Sequence, residues 1–168
     1  MNIFTTNNKK EEKFLRQRVP VFDFSKHFKK EINDLLKTMK EKMKEAEGIG
    51  LSANQLGLSH KLFIARVPSG DGQIKSYAIF NPEITKLSKE KTSLIEGCLS
   101  VPELLGTVTR PEKITLIGLD KNGKNIKIKA WGILARVFQH ETDHLNGILF
   151  IDKAKEVFKN TPEQVTKI

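Results

Sequence analysis

The fold is decided by residues 139–147, which read Gln-His-Glu-Thr-Asp-His-Leu-Asn-Gly. His140 and His144 are four residues apart, so a helix with 3.6 residues per turn places their imidazoles one above the other. Ile133 and Val137 continue the same spacing towards the N-terminus, and the closing glycine stands where a left-handed C-cap is typical. The pattern predicts a C-terminal helix whose two histidines share the buried face.

The same stretch contains the H-E-x-x-H pattern, in which two histidines bind one metal ion and the glutamate is not a ligand. Glu141 would then lie beside the pair and act as a general base towards water activated by the metal. The pattern fixes few positions and often occurs by chance. Alone, it does not separate a metal site from an ordinary amphipathic helix.

The composition indicates one domain over residues 1–168. Apolar residues make up 38% of the chain, and no run approaches the roughly 20 apolar residues that cross a bilayer. Residues 1–13 are polar and lack the apolar region of a secretion signal, so we expect a flexible arm there, and a short charged tail at 153–168. A location in the cytoplasm or an organellar matrix follows, with no membrane partner.

The charge is strongly positive, with 29 basic and 20 acidic residues and a net charge of +9. Attraction to RNA or to an anionic surface is one consequence of this balance. However, the excess is mostly lysine, scattered among other residues at 26–44 and 121–129, with one aromatic residue in these clusters. Such spacing is typical of solvated faces, so we expect no specific nucleic-acid partner.

Periodic patterns place the other elements. From Phe28 to Ala46, apolar residues recur at helical spacing, which predicts one N-terminal amphipathic helix. Asn122-Gly123 is a hairpin signal, and a last short strand is expected at 148–151. The order predicts an α+β fold, with antiparallel β-sheets packed around the helix that carries the H-E-x-x-H motif. The strand-like runs before that helix are 61–67, 75–80, 83–87, 114–119 and 126–130.

Two further stretches have the composition of a site. Residues 48–57, Gly-Ile-Gly-Leu-Ser-Ala-Asn-Gln-Leu-Gly, combine glycines that allow close approach with the amide of Gln55. A phosphate-binding loop is a weak alternative, because the third glycine and a Gly-Lys-Ser/Thr pattern are absent. Residues 94–102 contain Cys98, the one cysteine of the chain, beside Gly97. Both stretches suit a pocket wall, although the composition of residues 48–57 is also compatible with an ordinary tight loop.

A catalytic site built on H-E-x-x-H needs a third protein ligand and leaves the fourth position to water. No further histidine follows the motif at the metzincin spacing. His27 and His60 lie in a lysine-rich segment and a loop, and only Glu156 and Glu163 remain downstream. Cysteine with two histidines is an accepted ligand set, so Cys98 is the best candidate.

Together the three stretches resemble the signatures of the peptide deformylases, metal-dependent hydrolases that remove formate from the N-formylmethionine of nascent chains. The matching segments are 48–55, 96–100 (Glu-Gly-Cys-Leu-Ser) and 139–144, in the family's order and separation. The similarity extends from about Phe14 to about Asp152. It implies formylmethionyl polypeptides as substrates and transient proximity to the ribosome.

The resemblance implies that Cys98, His140 and His144 bind one divalent metal ion and that Glu141 is the general base. Ligand preference alone favours zinc for a cysteine with two histidines. Deformylases commonly work with Fe²⁺, so the resemblance implies Fe²⁺, with Zn²⁺, Ni²⁺ or Co²⁺ as substitutes. The two arguments differ on the metal and agree on its ligands.

Other residues take their roles from the same resemblance. The side-chain amide of Gln55 and the backbone N–H of Leu99 would stabilise the oxyanion. Glu96 would pair with Arg110 and support the site, for which an ordinary surface ion pair is the alternative. The residues that would contact the substrate are Glu47, Ile49, Gly50, Gly97 and Val137.

Two positions depart from the family pattern. Ser52 stands where the family usually has alanine and adds a hydroxyl near the pocket, and Leu105 stands where some members have an arginine that contacts the substrate. Two other functions compete with the deformylase: a different amide hydrolase or peptidase, and a ribosome- or RNA-binding protein with a structural metal. The last is disfavoured because a structural site is normally closed by a fourth protein ligand.

Overall fold

The computed structural model describes residues 2–68 and 72–160. The helices are α1 (Lys9–Leu15), α2 (Lys29–Glu45) and α3 (Gly132–Leu145). The strands are β1 (Gly50–Ser52), β2 (Leu62–Pro68), β3 (Ile74–Leu87), β4 (Lys91–Cys98), β5 (Val101–Pro111), β6 (Lys113–Leu119), β7 (Asn125–Trp131) and β8 (Ala154–Lys159). No helix in the described ranges has the length and apolar character needed to span a membrane.

The strands form two antiparallel sheets, both of which contact α3. One sheet has the order β1-β2-β3-β6-β7 and the other the order β4-β5-β8. The main apolar core lies between the five-stranded sheet and α3, while α2 covers a second core with β1 and β2. The predicted α+β class, with antiparallel sheets around the motif-bearing helix, is confirmed.

Helix α3 is more deeply buried than a single apolar stripe would require. Ala135, Phe138 and Leu145 are fully buried, whereas Ile133, predicted on the buried face, is 41% exposed. That part of the prediction is wrong because the first turn of α3 is exposed and burial begins at the second turn. From there the polar residues are buried with the apolar ones, so they need partners inside the protein.

The strands predicted before α3 are present, although two of the predicted runs belong to one strand. The hairpin predicted at Asn122-Gly123 joins β6 to β7, and Gly123 has a φ of 75°, in the left-handed region that glycine enters easily. The runs predicted at 75–80 and 83–87 form one strand, β3, because an irregularity after Phe80 shifts the pairing with β6 without ending it. Strands β4 and β5 lie outside the predicted runs.

The N-terminal segment is not the loose arm that its polar composition predicts. It contains helix α1, which Asn8 caps through its side chain. Before the helix, Phe4 N–H donates a hydrogen bond to the backbone oxygen of Gln55 at 2.7 Å, and Thr6 N–H donates to that of Ser100 at 2.9 Å. The segment is therefore held against the two stretches that carry predicted site residues.

The predicted tail at 153–168 contains a strand. Within it β8 pairs with β5 and completes the smaller sheet. The segment 148–151, predicted as a strand, leads into a short 3₁₀ helix, Phe150–Asp152, and its apolar residues anchor the chain by burial instead of pairing. Residues 161–168 of the predicted tail lie outside the described residues.

Candidate metal centre and active site

Three side chains converge where the end of β4 meets α3. His140 and His144 lie one turn apart, with their Nε2 atoms separated by 3.2 Å, and Cys98 Sγ lies 3.1 Å from His144 Nε2. The three ligand atoms are all within 4.8 Å of one another. One thiolate and two imidazoles at this spacing can bind a single divalent ion and leave a further position open. The residues therefore fit a catalytic metal site.

Glu96 orients the ring of His140 through the ring nitrogen that faces away from Cys98 and His144. Its Oε2 lies 3.0 Å from His140 Nδ1, so Nε2 points towards Cys98 and His144. A carboxylate in this position selects the tautomer and the orientation of a metal-binding histidine. His144 has no equivalent, because its buried Nδ1 lacks a hydrogen-bond partner within residues 2–68 and 72–160. Its backbone oxygen instead accepts from Asn54 Nδ2 at 2.7 Å.

Glu96 belongs to a buried ionic network on the β4–β5 side of α3. Arg110 donates to it through Nε and Nη2 at 2.6 and 2.9 Å, and Arg136 donates through Nη1 at 2.6 Å. Asp143 accepts from Arg110 Nη1 and from Lys153 Nζ, both at 2.7 Å. The ion pair of Glu96 with Arg110 is thus buried, which excludes the surface alternative.

Arg136 is the network residue that the sequence patterns missed. Besides Glu96, its guanidinium donates to the backbone oxygens of Val108 at 3.1 Å and Thr92 at 2.8 Å. A charged residue within the apolar part of a predicted buried helix was the available signal, because buried charge requires a partner. Asp143, which received no role from the sequence, joins the same network.

Glu141 lies on the opposite flank of α3, against strand β1. The residue is 4% exposed, and its Oε2 accepts a hydrogen bond from Ser52 Oγ at 2.6 Å. A Cβ atom at Gly50 would lie 2.3 Å from Oε1, so a side chain there would displace the carboxylate from this position. Within the described part of the chain, no lysine or arginine pairs with this carboxylate.

Gln55 directs its amide at the ligand cluster. Ser52 N–H donates to Gln55 Oε1 at 2.9 Å, which leaves Nε2 facing Ser100 Oγ at 3.0 Å and Cys98 Sγ at 3.7 Å. Leu99 follows Cys98 directly after β4. Of the two groups predicted to stabilise an oxyanion, the Gln55 amide therefore lies near the Cys98 sulfur, and Leu99 is the next residue after Cys98 in the chain.

The surroundings of the ligands favour a thiolate. Burial disfavours the charged form of Cys98, but the charge of His144 and hydrogen bonds with both imidazoles outweigh it and hold the pKa of Cys98 well below its ordinary value. Burial also disfavours the charged form of His140, yet its hydrogen bonds with Cys98 and Glu96 raise the pKa of His140 to about 10. Thiolate is the form of cysteine that binds metals.

The two buried carboxylates have pKa values displaced in opposite directions. For Glu96, hydrogen bonds with His140 and Arg110 outweigh burial and hold the pKa well below its ordinary value. For Glu141, burial outweighs the opposing effects of the two histidines and Ser52, and the pKa is raised. Glu96 is therefore a fixed anion, whereas Glu141 is suited to exchange a proton.

The residues predicted to contact the substrate differ in their exposure. Glu47 and Gly97 are exposed, and Ile49 is 48% exposed. A Cβ atom at Gly97 would lie 2.8 Å from Leu105 Cδ2, so the Leu105 side chain occupies the space on one side of that glycine. Val137 is 5% exposed and packs in the main apolar core, so it can support a pocket wall only from behind.

Comparison with known proteins points to one family. The sequence model described as polypeptide deformylase matches residues 2–160. A protein named peptide deformylase from Natranaerobius thermophilus is 47% identical over 125 residues, which cover 74% of this chain and 78% of the relative. A probable peptide deformylase from Synechococcus phage S-SSM7 has a similar solved structure, with a TM-score of 0.80, 38% identity, and coverage of 91% of this chain and 99% of that one.

A second solved structure is that of a class I type b peptide deformylase from Acinetobacter baumannii, bound to Met-Ala-Ser. It has a TM-score of 0.82 and 28% identity, and the match covers 91% of this chain and 97% of that one. Because the coverage is nearly complete on both sides, the similarity includes both sheets and the helix that carries the two histidines.

Proposed function

The chain belongs to the peptide deformylase family, and from this membership we propose a role for each residue of its site. The protein is a hydrolase that removes the formyl group from the N-terminal formylmethionine of newly made polypeptides. Its family is metal-dependent, and the site contains a matching cluster of one cysteine and two histidines. Hydrolysis of the formyl amide needs an activated water, a partner for the oxyanion and a proton for the departing nitrogen.

Cys98, His140 and His144 would hold the divalent ion. The convergence of their ligand atoms and the carboxylate of Glu96 behind His140 support this assignment. When bound, the ion supplies Lewis-acid activation of water and of the formyl oxygen. On the family resemblance we assign Fe²⁺, with Zn²⁺, Ni²⁺ or Co²⁺ as substitutes that the same ligands accept.

Glu141 is the general base of this mechanism. Its raised pKa suits a group that must accept a proton and then return it near neutral pH. The carboxylate takes a proton from the attacking water as the water oxygen bonds to the formyl carbon. It then gives that proton to the methionine nitrogen as the C–N bond breaks. Formic acid, which ionises to formate, and a free amine leave, and Glu141 is a carboxylate again.

Gln55 and Leu99 stabilise the oxyanion. The Nε2 group of Gln55 and the backbone N–H of Leu99 donate to the formyl oxygen as it gains negative charge. The hydrogen bond from Ser52 N–H to Gln55 Oε1 supports this role, because it orients the amide before the substrate arrives. Loss of one such donor typically lowers kcat by about 10²- to 10³-fold.

The substrate peptide would lie along the exposed edge of β4. This strand is at the edge of its sheet, so its free backbone groups can pair with an extended peptide. The exposed side chain of Ile49 offers apolar surface to methionine. The Acinetobacter baumannii structure holds Met-Ala-Ser, a peptide that begins with methionine, which supports such a site here. The proposed contacts are Glu47, Ile49, Gly50, Gly97 and, from the core side, Val137.

The substrate also determines where the enzyme would work. Formylmethionyl chains emerge from ribosomes, so we propose that residues 1–168 act as one catalytic domain with transient proximity to the ribosome. Its compartment would be the bacterial-type cytoplasm or an organellar matrix. The net charge of +9 supports brief association with an RNA-rich particle.

The convergence of the three metal-binding side chains beside Glu141 carries this proposal, and formate release tests it. The protein is purified without oxygen, loaded with Fe²⁺ or Ni²⁺, and given N-formyl-Met and N-acetyl-Met peptides. We expect rapid release of formate, slow release of acetate, and a loss of about 10²- to 10⁴-fold for Glu141→Gln at unchanged metal content. If Glu141→Gln kept the activity of the parent, Glu141 would not be the base. Equal hydrolysis of the formyl and acetyl peptides would indicate an amide hydrolase of broader specificity.

A further inference from the structure

We propose that Ser52 is a positioning residue that seats the carboxylate of Glu141 against strand β1. The inference rests on the proposed role of Glu141 as the general base. It concerns how that side chain is held, and it assigns the task to a hydroxyl that is itself completely buried.

The hydroxyl makes two contacts with Glu141. Ser52 Oγ lies 2.6 Å from Oε2 and 3.0 Å from the backbone oxygen of the same residue. It has one proton to donate, and the shorter contact with a charged acceptor is the stronger hydrogen bond. Within residues 2–68 and 72–160, Ser52 is the one hydrogen-bond donor that reaches the carboxylate. A base this deeply buried therefore depends on a single partner for its orientation.

Gly50 completes the seat. It lies two residues before Ser52 on β1, so both residues face the same side of the strand. The other carboxylate oxygen, Oε1, occupies the space that a Cβ atom at Gly50 would fill, at 2.3 Å. One oxygen of Glu141 is thus held by a hydrogen bond while the other packs against bare backbone.

Ser52 also touches the second catalytic group through its main chain. Its backbone N–H donates to Gln55 Oε1 at 2.9 Å. Any residue except proline can make that bond, whereas only the hydroxyl reaches Glu141. Replacing Ser52 by alanine therefore separates the two functions, because it releases the base and leaves the oxyanion donor in place.

A purely structural role and a positioning role for the Ser52 hydroxyl predict different effects of Ser52→Ala on stability and on kcat. If the hydroxyl only satisfied the backbone oxygen of Glu141, its removal in Ser52→Ala would mainly lower stability. A positioning role predicts a loss in kcat with KM unchanged, because the substrate contacts are not altered. Small misplacement of a reacting group lowers turnover by between about 10-fold and 100-fold.

The experiment compares the parent, Ser52→Ala and a matched control on the same helix, Thr142→Val. Thr142 is buried, and its hydroxyl has no hydrogen-bond partner in the described part of the chain, so its removal should leave kcat and KM unchanged. For Ser52→Ala we expect kcat to fall by about 10- to 100-fold with KM and metal content at the parental level. In the Glu141→Gln background, Ser52→Ala should cause no further loss.

Crystal structures of the metal-free parent and Ser52→Ala provide a measurement that does not depend on turnover. We expect the carboxylate of Glu141 to leave its place against Gly50 in the variant. An unmoved carboxylate, or a kcat within twofold of the parent, would overturn the proposal. Failure of the proposed function looks different: the metallated parent would release no formate, or Glu141→Gln would remain active.

Discussion

Helix α3 has two flanks, and one buried carboxylate lies on each of them, near the histidines of the candidate metal cluster. On the β4–β5 flank, Glu96 accepts from Arg110 and Arg136 and lies 3.0 Å from His140. On the β1 flank, Glu141 has one hydroxyl partner and the bare backbone of Gly50. The first carboxylate is surrounded by cations and the second is not.

The difference shows how buried carboxylates on the two sides of one helix, Glu96 from β4 and Glu141 from α3 itself, can have opposite chemical properties. Cationic donors overcome burial at Glu96 and keep its pKa low, while burial prevails at Glu141 and raises its pKa. A low pKa suits a group that must orient a metal ligand at every pH. A raised pKa suits a group that must gain and lose a proton in each turnover. The environment therefore assigns the two roles, since the side chains are chemically identical.

The largest expected effect is on the ionic flank. Glu96→Gln removes the anion that two guanidinium groups share, and breaking a buried ionic pair lowers the free energy of unfolding by about 3–5 kcal/mol. Because His140 also loses its orienting partner, metal affinity should fall by about 10- to 100-fold. Urea unfolding of the metal-free protein and metal titration measure the two effects. Glu41→Gln, at an exposed position on α2, is the control. Equal losses of stability in Glu41→Gln and Glu96→Gln would show that the buried network contributes nothing special to stability.

Arg136→Met should have a smaller effect on the same flank. Glu96 keeps both hydrogen bonds from Arg110, so only part of its compensation is lost. We expect the free energy of unfolding to fall by about 1–3 kcal/mol, the cost of leaving a buried acceptor incompletely satisfied. The same urea titration measures it. A loss as large as that of Glu96→Gln would show that Arg136, and not the carboxylate, is the centre of the network.

The pH dependence of stability should come from Glu96. Its pKa is lower in the folded state than in the unfolded chain, so the unfolded chain binds the proton first as the pH falls. The stabilisation is complete above the ordinary carboxyl pKa and is lost below it, by up to about 1.4 kcal/mol per pH unit. Unfolding of the metal-free protein from about pH 7 down to about pH 3 should show this slope, and Glu96→Gln should flatten it. If Glu96→Gln kept the same slope of stability against pH as the parent, Glu96 would not be its source.

The smallest effect, with the opposite sign, is expected on the β1 flank. Glu141→Gln replaces a buried carboxylate, which pairs with no lysine or arginine in the described part of the chain, by a neutral amide of similar size. Functional residues of this kind reduce stability, so the free energy of unfolding should rise, by about 0.5–2 kcal/mol. Unfolding at neutral pH measures the change. A clear decrease would show that both flanks stabilise the fold in the same way.

Local patterns in the sequence were sufficient for α2, most of α3 and the hairpin at Asn122-Gly123. The candidate ligands Cys98, His140 and His144 follow from residue type and spacing, and the structure brings them together. These features depend on neighbours within a few residues. The resemblance to a known family added the roles that spacing alone left open.

Features that depend on distant partners could not be predicted. Most of β4 is exposed and it includes Ile95 at 53% exposure, so no alternation marks it as a strand. The partner of Arg136 lies 40 residues away, and the contact between Ser52 and Glu141 spans 89 residues. The sequence predicted only that Ser52 adds a hydroxyl near the pocket. Where that hydroxyl points depends on how β1 packs against α3.

The hydrogen bonds of the N-terminal segment bear on the order in which the enzyme can be assembled during synthesis. Phe4 and Thr6 are made before their backbone partners, which are residues 55 and 100. The smaller sheet closes only when β8 has been made and pairs with β5. Contacts between distant parts of a chain form slowly and late. A protein that acts on polypeptides as they begin therefore completes its own candidate site only after α3 has been made, and its smaller sheet only after β8.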